Sequence, residues 1–170
     1  MANTAVKKSM LRNVYDRCSA MPESIQPRLL SFIFGRVVKF FGTAGLRFEL
    51  LTPERSIVFL ANRKKVQNHI GGIHAVAMGL ICESATGAIV GLNLPADATP
   101  VIKSMQIDYL KRASGAMRAE AWLTAEQIEL MKSAPKGEVE VACTVTDEDG
   151  KEPIEVAMIW AWVPSKRPEK

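Results

Sequence analysis

An apolar run at helical spacing lies between a glycine pair, Gly71-Gly72, and Gly87. Apolar side chains recur there three and four positions apart, and Glu83 is the only acid in the run. A helix that is apolar almost all the way round is a buried helix, because it has no polar face to meet water. We therefore expect the rest of the chain to enclose this helix.

Strand-like runs lie on both sides of the helix. Residues 46–50 alternate in polarity and residues 56–63 form a second run, so the two are predicted to pair as a hairpin. Five further runs follow Gly87, namely AIVGLNL, VIKSMQIDYLKR, AMRAEAWL, EVEVACTVT and IEVAMIWAWV. Thr124 and Gln127 predict a capped short helix between the third and the fourth of them. Because hairpin-compatible turns separate the later runs, we predict an α+β fold in which six or seven mostly antiparallel strands curl about the buried helix.

Two amphipathic helices are predicted before the first strand, over residues 5–20 and 26–41. The second is expected to end at the glycines that precede the first strand, since glycine commonly terminates helices. The chain is thus divided into an N-terminal helical extension, residues 1–45, and a main domain, residues 46–164. A chain of 170 residues suits one domain with a sizeable core.

The second of these helices has a wide apolar arc. Apolar side chains cover more than half of its circumference, and Arg28, Arg36 and Lys39 share the remaining face. We interpret the arc as a surface that packs on the protein body or on a second subunit, because the predicted sheet needs a cover. Contact of residues 26–41 with a membrane surface is the alternative that we favour less.

Composition narrows the classes of partner. Hydrophobic residues make up 48% of the chain, and 22 basic against 18 acidic residues give a net charge of +4. This mild excess suits an anionic small molecule, and without a motif of interleaved basic and aromatic residues we expect no nucleic-acid binding. Three widely spaced cysteines and no apolar leader favour a reduced, cytoplasmic chain. The sequence contains no run of about 18 uncharged apolar residues, so we expect no membrane-spanning helix.

The polar residues in and before the apolar run are the candidates for chemistry. A carboxylate such as Glu83 is costly to bury, and is kept for a salt bridge, a hydrogen-bonded structural role or catalysis. Asn68 and His74 lie just ahead of the helix, on either side of Gly71-Gly72. We expect the glycine pair to serve backbone geometry and close approach of a ligand. A helix start offers unpaired N–H donors and partial positive charge, which suit a developing oxyanion.

This constellation resembles a known family. Asn68, then His74 six residues later, then an apolar helix with an acid at position 83 is similar to the hotdog-fold acyl-CoA thioesterases, above all the phenylacetate-pathway type and its relatives. In that family a small residue follows the His; here it is Ala75, where Gly is usual, and Glu83 stands where Asp is commoner. Residues 107–123 resemble the family's two strands about a basic turn. The resemblance covers most of the chain.

The resemblance implies a role for each matched residue. Glu83 would act as general base on water or as nucleophile on the thioester carbonyl. Backbone N–H groups near Ala75 would stabilise the oxyanion, Asn68 would orient the carbonyl or the water, and His74 would shape the loop. It further implies a homodimer or a dimer of dimers, in which Glu83 faces the Asn–His loop of the partner. No metal and no cofactor are expected, apart from coenzyme A as part of the substrate.

Two basic clusters are candidates for the phosphates of that coenzyme A. They are Arg63 with Lys64 and Lys65, and Lys111 with Arg112. As a set they suit phosphate groups, although each residue alone is better explained as the solvated end of a strand.

Several interpretations stay open at this point. The first function is hydrolysis of an acyl-CoA or related thioester; the alternatives are an acyl-thioester hydratase or dehydratase, and a non-catalytic acyl-binding protein. We interpret His69 as a loop residue and Cys82 as part of the core, with a Cys–His nucleophile as a weak alternative. Asp108, the only acid in its strand, is a candidate second polar residue of the site, but exposure at a strand edge explains it equally well.

Overall fold

The computed structural model describes residues 8–165, and its framework is one antiparallel sheet around one long helix. The elements in chain order are α1 (Met10–Cys18), α2 (Gln26–Val37), α3 (Lys39–Ala44), β1 (Arg47–Leu51), β2 (Arg55–Leu60), a 3-10 turn (Lys64–Val66), α4 (Ala75–Asn93), β3 (Ala98–Tyr109), β4 (Met117–Trp122), α5 (Ala125–Ser133), β5 (Gly137–Asp147) and β6 (Ile154–Pro164). The strand order is β1-β2-β4-β5-β6-β3, with every neighbouring pair antiparallel. The predicted α+β class, with a sheet wrapped around a central helix, is confirmed.

Helix α4 forms the centre of the core and is longer than predicted. Fourteen of its 19 residues are buried, and it contacts β2 to β6. It continues past Gly87 to Asn93, so the expected helix end at Gly87 and the strand predicted over residues 88–94 were wrong. Gly87 is a packing position instead, because a Cβ there would lie 2.7 Å from the ring of Trp160. Helix α4 is long and apolar enough to cross a membrane, with a mean hydropathy of 1.7 over an 18-residue segment. However, 72% of that segment is buried inside the fold, as in the core helix of a globular domain.

The predicted helix over residues 26–41 is two helices. The backbone leaves helical geometry at Val38 (φ −93°, ψ 87°), which separates α2 from α3 and makes three N-terminal helices where we predicted two. Gly42 does not end a helix; a Cβ there would lie 2.5 Å from the carbonyl oxygen of Gly35, so the two glycines let the backbones touch. Gly45 ends α3 in the left-handed conformation, as predicted. Of the first predicted helix, residues 5–7 lie outside the described part of the chain.

Helices α1 and α2 are fixed to the sheet and to α4 by specific contacts. Ser9 caps α1 and donates a hydrogen bond to the carbonyl oxygen of Gly91 on α4 (3.1 Å). The Ser31 hydroxyl on α2 accepts from the backbone N–H of Phe48 on β1 (2.7 Å). The rings of Phe34, Phe41 and Phe48 pack with centroids 5.0–5.2 Å apart. The helices therefore cover one side of α4.

Strand β3 lies at one edge of the sheet and leaves apolar side chains uncovered. Within residues 8–165 it pairs only with β6. Ile102, Met105 and Tyr109 are 40%, 47% and 53% exposed, although Ile102 and Met105 lie opposite the buried Trp160 and Met158 of β6. A long edge strand with exposed apolar groups is a template for pairing with another chain.

Candidate active site

Asn68 holds together the loop that leads into α4. Its side-chain oxygen accepts hydrogen bonds from the backbone N–H groups of Ile70 and Gly72, each at 3.1 Å. Its backbone N–H donates to the Gly72 carbonyl (2.8 Å), and the Gly71 N–H donates to the Asn68 carbonyl (3.1 Å). Because the side-chain oxygen is already used, the amide nitrogen is the group of Asn68 that remains to contact a ligand.

The two glycines of the loop have different roles. Gly71 adopts φ of 79°, a conformation that L side chains rarely take, whereas Gly72 does not have positive φ. A Cβ at Gly72 would lie 3.8 Å from the Asn68 amide, which is an ordinary contact. The expected need for glycine geometry therefore applies to Gly71.

His74 caps the start of α4. Its Nδ1 accepts a hydrogen bond from the Val76 N–H (3.1 Å), and its backbone N–H donates to the Val66 carbonyl (2.8 Å). An accepting Nδ1 places the proton of the neutral ring on Nε2. The N–H of Ala75, the first residue of the helix, has no hydrogen-bond partner within residues 8–165. Ala75 thus offers a free donor at the positive end of the helix dipole.

Two residues from the end of β3 and the turn after it brace this loop. The Tyr109 hydroxyl donates to the Ala75 carbonyl (3.0 Å), and Arg112 Nη2 donates to the Ile70 carbonyl (3.3 Å). Arg112 was singled out for a different reason, as a phosphate ligand. Tyr109 was missed by the sequence analysis; the only signal was its position in the stretch that resembles the thioesterase strands.

Glu83 lies on α4 well away from the loop. At about 1.5 Å per residue, the eight residues from Ala75 to Glu83 span about 12 Å along the axis. A single chain therefore does not bring Glu83 together with Asn68, His74 and Ala75. Within the described part of the chain, Glu83 has no ion-pair partner, and no group of three His, Cys, Asp or Glu residues is placed to hold a metal.

Glu83 borders an apolar cavity of about 460 Å³ between the N-terminal helices and α4. Burial raises the pKa of Glu83, and the adjacent Ser84 hydroxyl acts in the opposite direction without forming a hydrogen bond of ordinary geometry. A carboxyl with a raised pKa titrates closer to neutral pH than an ordinary glutamate. That property suits a general base.

The basic clusters lie at two places near the loop. Arg63, Lys64 and Lys65 are exposed around the 3-10 turn, and Lys65 Nζ donates to the Thr43 carbonyl (2.7 Å). Lys111 and Arg112 are exposed after β3. Arg112 reaches the loop itself, whereas Lys65 is turned toward the end of α3.

The fold is that of the hotdog class of thioesterases. Similar solved structures include a Pseudomonas aeruginosa protein of unknown function named as a probable thioesterase (TM-score 0.71, 27% identity, covering 79% of this chain and 93% of that one). A thioesterase family protein from Silicibacter pomeroyi (0.62, 15%, 91% and 98%) and a thioesterase from Haemophilus influenzae (0.61, 13%, 97% and 99%) are also similar. The resemblance to the thioesterase superfamily is confirmed, and thioesterase-like function in general is supported.

The domain family described as a domain of unknown function (DUF4442) matches residues 26–163. The chain belongs to this family. The match includes residues 26–45, which contain α2 and α3 and which we had assigned to the N-terminal extension. No curated protein matches the chain significantly.

Proposed function

We propose that this protein is a thioesterase that hydrolyses an acyl-CoA or a related acyl thioester, with Glu83 as its catalytic carboxylate. The observation that carries the proposal is the environment of Glu83. It is the only carboxylate on α4, lies half-buried beside an apolar cavity, and has a raised pKa without an ion-pair partner in the described structure. A structural salt bridge would have supplied a cationic partner.

The proposed reaction uses Glu83 and the start of α4. Glu83 takes a proton from water as the water oxygen attacks the thioester carbonyl, and the N–H of Ala75 stabilises the resulting oxyanion. When the C–S bond breaks, the Glu83 carboxylic acid returns the proton to the departing thiolate. In the alternative route Glu83 attacks the carbonyl directly, expels the thiolate and forms an anhydride that water hydrolyses. The amide nitrogen of Asn68 would orient the carbonyl or the water, and His74 would fix the loop.

The proposed site needs two copies of the chain. Glu83 and Ala75 are about 12 Å apart along one helix, so the loop of a second copy would have to face Glu83. Around the helix start, Ile70, Val76, Tyr109 and Leu110 are each more than half exposed, and β3 continues this apolar surface. An isologous dimer through β3 would cover it and exclude water from the oxyanion site. Arg63, Lys111 and Arg112 would then be available for the phosphates of coenzyme A.

A panel of acyl-CoAs, from acetyl to palmitoyl and including phenylacetyl, tests the proposal. Free thiol and the acyl product are measured in the same reaction. Hydrolysis releases thiol and carboxylic acid in equal amounts, which is the expected result. A hydratase would leave these chains unchanged, but it would add one water to an α,β-unsaturated thioester, crotonyl-CoA, assayed beside them, without releasing thiol. A non-catalytic acyl-binding protein would give neither product, but the ligand would raise its melting temperature.

A further inference from the structure

We propose that the cavity between α1, α2 and α4 holds the acyl chain, so that the substrates are straight-chain aliphatic thioesters of medium to long chain. The inference rests on the proposed function, because it assigns the substrate class of the same site. A methylene group takes about the volume of a water molecule in the liquid, about 30 Å³, so a cavity of about 460 Å³ corresponds to a chain on the order of fifteen carbons. Chains of about eight to fourteen carbons would fill from about half to about nine-tenths of this volume, whereas shorter chains would leave most of it empty.

The floor of the cavity is one face of α4. Glu83, Gly87 and Gly91 are four residues apart and line the cavity, so they share this face. A Cβ would lie 2.7 Å from the ring of Trp160 at Gly87 and 3.4 Å from Leu11 at Gly91, so a larger residue at either position would narrow the cavity. From Glu83 to Gly91 the floor extends about 12 Å along the helix.

The roof is formed by the N-terminal helices. Leu11 and Val14 of α1 and Ile33, Phe34 and Val37 of α2 line it. Among the residues of 8–165 that border the cavity, Glu83 alone is charged. Protein cores rarely contain voids much larger than a water molecule, whereas ligand pockets enclose about 300–1,000 Å³. The volume and the lining therefore fit a pocket for an apolar chain better than a packing defect.

The polar groups lie at one end of the floor. Ser84 is 2% exposed, borders the cavity, and its hydroxyl has no hydrogen-bond partner in the described structure. By contrast, the hydroxyl of Ser9, which also borders the cavity, is bonded to the Gly91 carbonyl. A buried hydroxyl without a partner is unfavourable, and the carbonyl of a bound thioester would supply one. The thioester would thus lie by Glu83 and Ser84, with the chain running toward Gly91.

Val14→Trp tests the pocket by filling it from the roof. The matched control is Asn13→Trp, since Asn13 is the neighbouring residue on α1, is exposed and does not border the cavity. We expect the ratio of kcat/KM for dodecanoyl-CoA to that for butyryl-CoA to fall at least tenfold in Val14→Trp and less than twofold in Asn13→Trp. If Val14→Trp does not fold, Gly91→Val narrows the floor and the same fall is expected.

A binding measurement separates failure of the pocket from failure of the proposed function. Dodecanoic acid is titrated calorimetrically into the wild type and both α1 variants. We expect the wild type to bind dodecanoic acid, with an affinity that falls at least tenfold in Val14→Trp and less than twofold in Asn13→Trp. This result would support the pocket even if no acyl-CoA is hydrolysed. Equal affinity in the wild type and a folded Val14→Trp would overturn the inference. So would hydrolysis that is independent of chain length, or that prefers phenylacetyl-CoA to dodecanoyl-CoA.

Discussion

Glu83 combines a half-buried carboxylate with the absence of a cation beside it in the described structure. We expect Glu83→Gln to fold and to bind an acyl thioester, but to lose at least about a hundredfold in turnover, the usual scale for a lost general base. Turnover and melting temperature are measured on one preparation. The matched control is Glu152→Gln at an exposed loop position, with both quantities near wild type. Wild-type turnover in folded Glu83→Gln would remove this residue from the mechanism.

The raised pKa of Glu83 has a consequence for stability. A carboxyl whose pKa is higher in the folded than in the unfolded state binds more protons when folded, so stability falls as pH rises from the unfolded pKa through the folded one. Glu83→Gln lacks this loss. We expect the variant to gain in melting temperature relative to wild type as pH rises from 4.5, the ordinary glutamate value, toward neutrality. A salt bridge would give the opposite trend, because it stabilises only the ionised wild-type carboxylate. A Glu83→Gln melting temperature that falls relative to wild type as pH rises would therefore contradict the assigned environment.

The glycine pair gives a sharp contrast between neighbours. Gly71→Ala forces a side chain into φ of 79° and should cost about 1–2 kcal/mol of unfolding free energy. Gly72→Ala adds a Cβ at ordinary contact distance from Asn68 and should cost little. Urea denaturation of both variants measures the difference. Equal losses would mean that the loop does not depend on its backbone conformation at Gly71.

At the scale of elements, β3 is the strand whose exposed apolar groups need explanation. Met105→Lys places a charge on them, so we expect it to dissociate the proposed dimer and to lower turnover. The matched control is Val163→Lys, an equally exposed apolar residue on β6 (44% against 47%). Sedimentation over a range of concentrations compares the two. A Met105→Lys protein with the mass and activity of the wild type would exclude β3 as the interface.

Elements with local signals could be predicted from the sequence, whereas those set by tertiary packing could not. The capping box of Thr124 and Gln127 on α5 is a contact between near neighbours, and it is confirmed. A strand was predicted over residues 88–94 because a short apolar run has the same pattern in a buried strand and in a buried helix. The break at Val38 interrupts no apolar pattern, so nothing in the sequence marked it.

The candidate site divides in the same way. The spacing of Asn68, His74 and Glu83 located the loop and the acid. The hydrogen bonds by which Asn68 turns the loop and His74 caps α4 depend on the folded backbone, so the sequence did not reveal them. The cavity was hidden from sequence reasoning because its roof and floor come from distant segments of the chain.

At the scale of the whole molecule, the proposed site is shared between two chains, which mixing can test. Glu83→Gln and Asn68→Ala should each be inactive alone. A mixed dimer contains one site with both residues intact, and half of randomly reassorted dimers are mixed, so about a quarter of wild-type activity should return. Activity is assayed after joint unfolding and refolding, with each variant refolded alone as the control. No recovery, although mixed dimers form, would place both residues in one chain's site.

Two tryptophans of β6 each occupy the space that a missing side chain leaves. The ring of Trp160 sits against Gly87, and that of Trp162 against Gly137, where a Cβ would lie 2.5 Å away. In each pair a side chain at the glycine position would clash with the tryptophan ring. A substitution of the glycine therefore requires a smaller residue in place of the tryptophan. Related chains with alanine at position 87 should carry a smaller residue at position 160, and Gly87→Ala should be less damaging beside Trp160→Phe than beside Trp160. We therefore expect the two positions of each pair to vary together among related chains. The cause is steric packing in the core and does not depend on the function of the site.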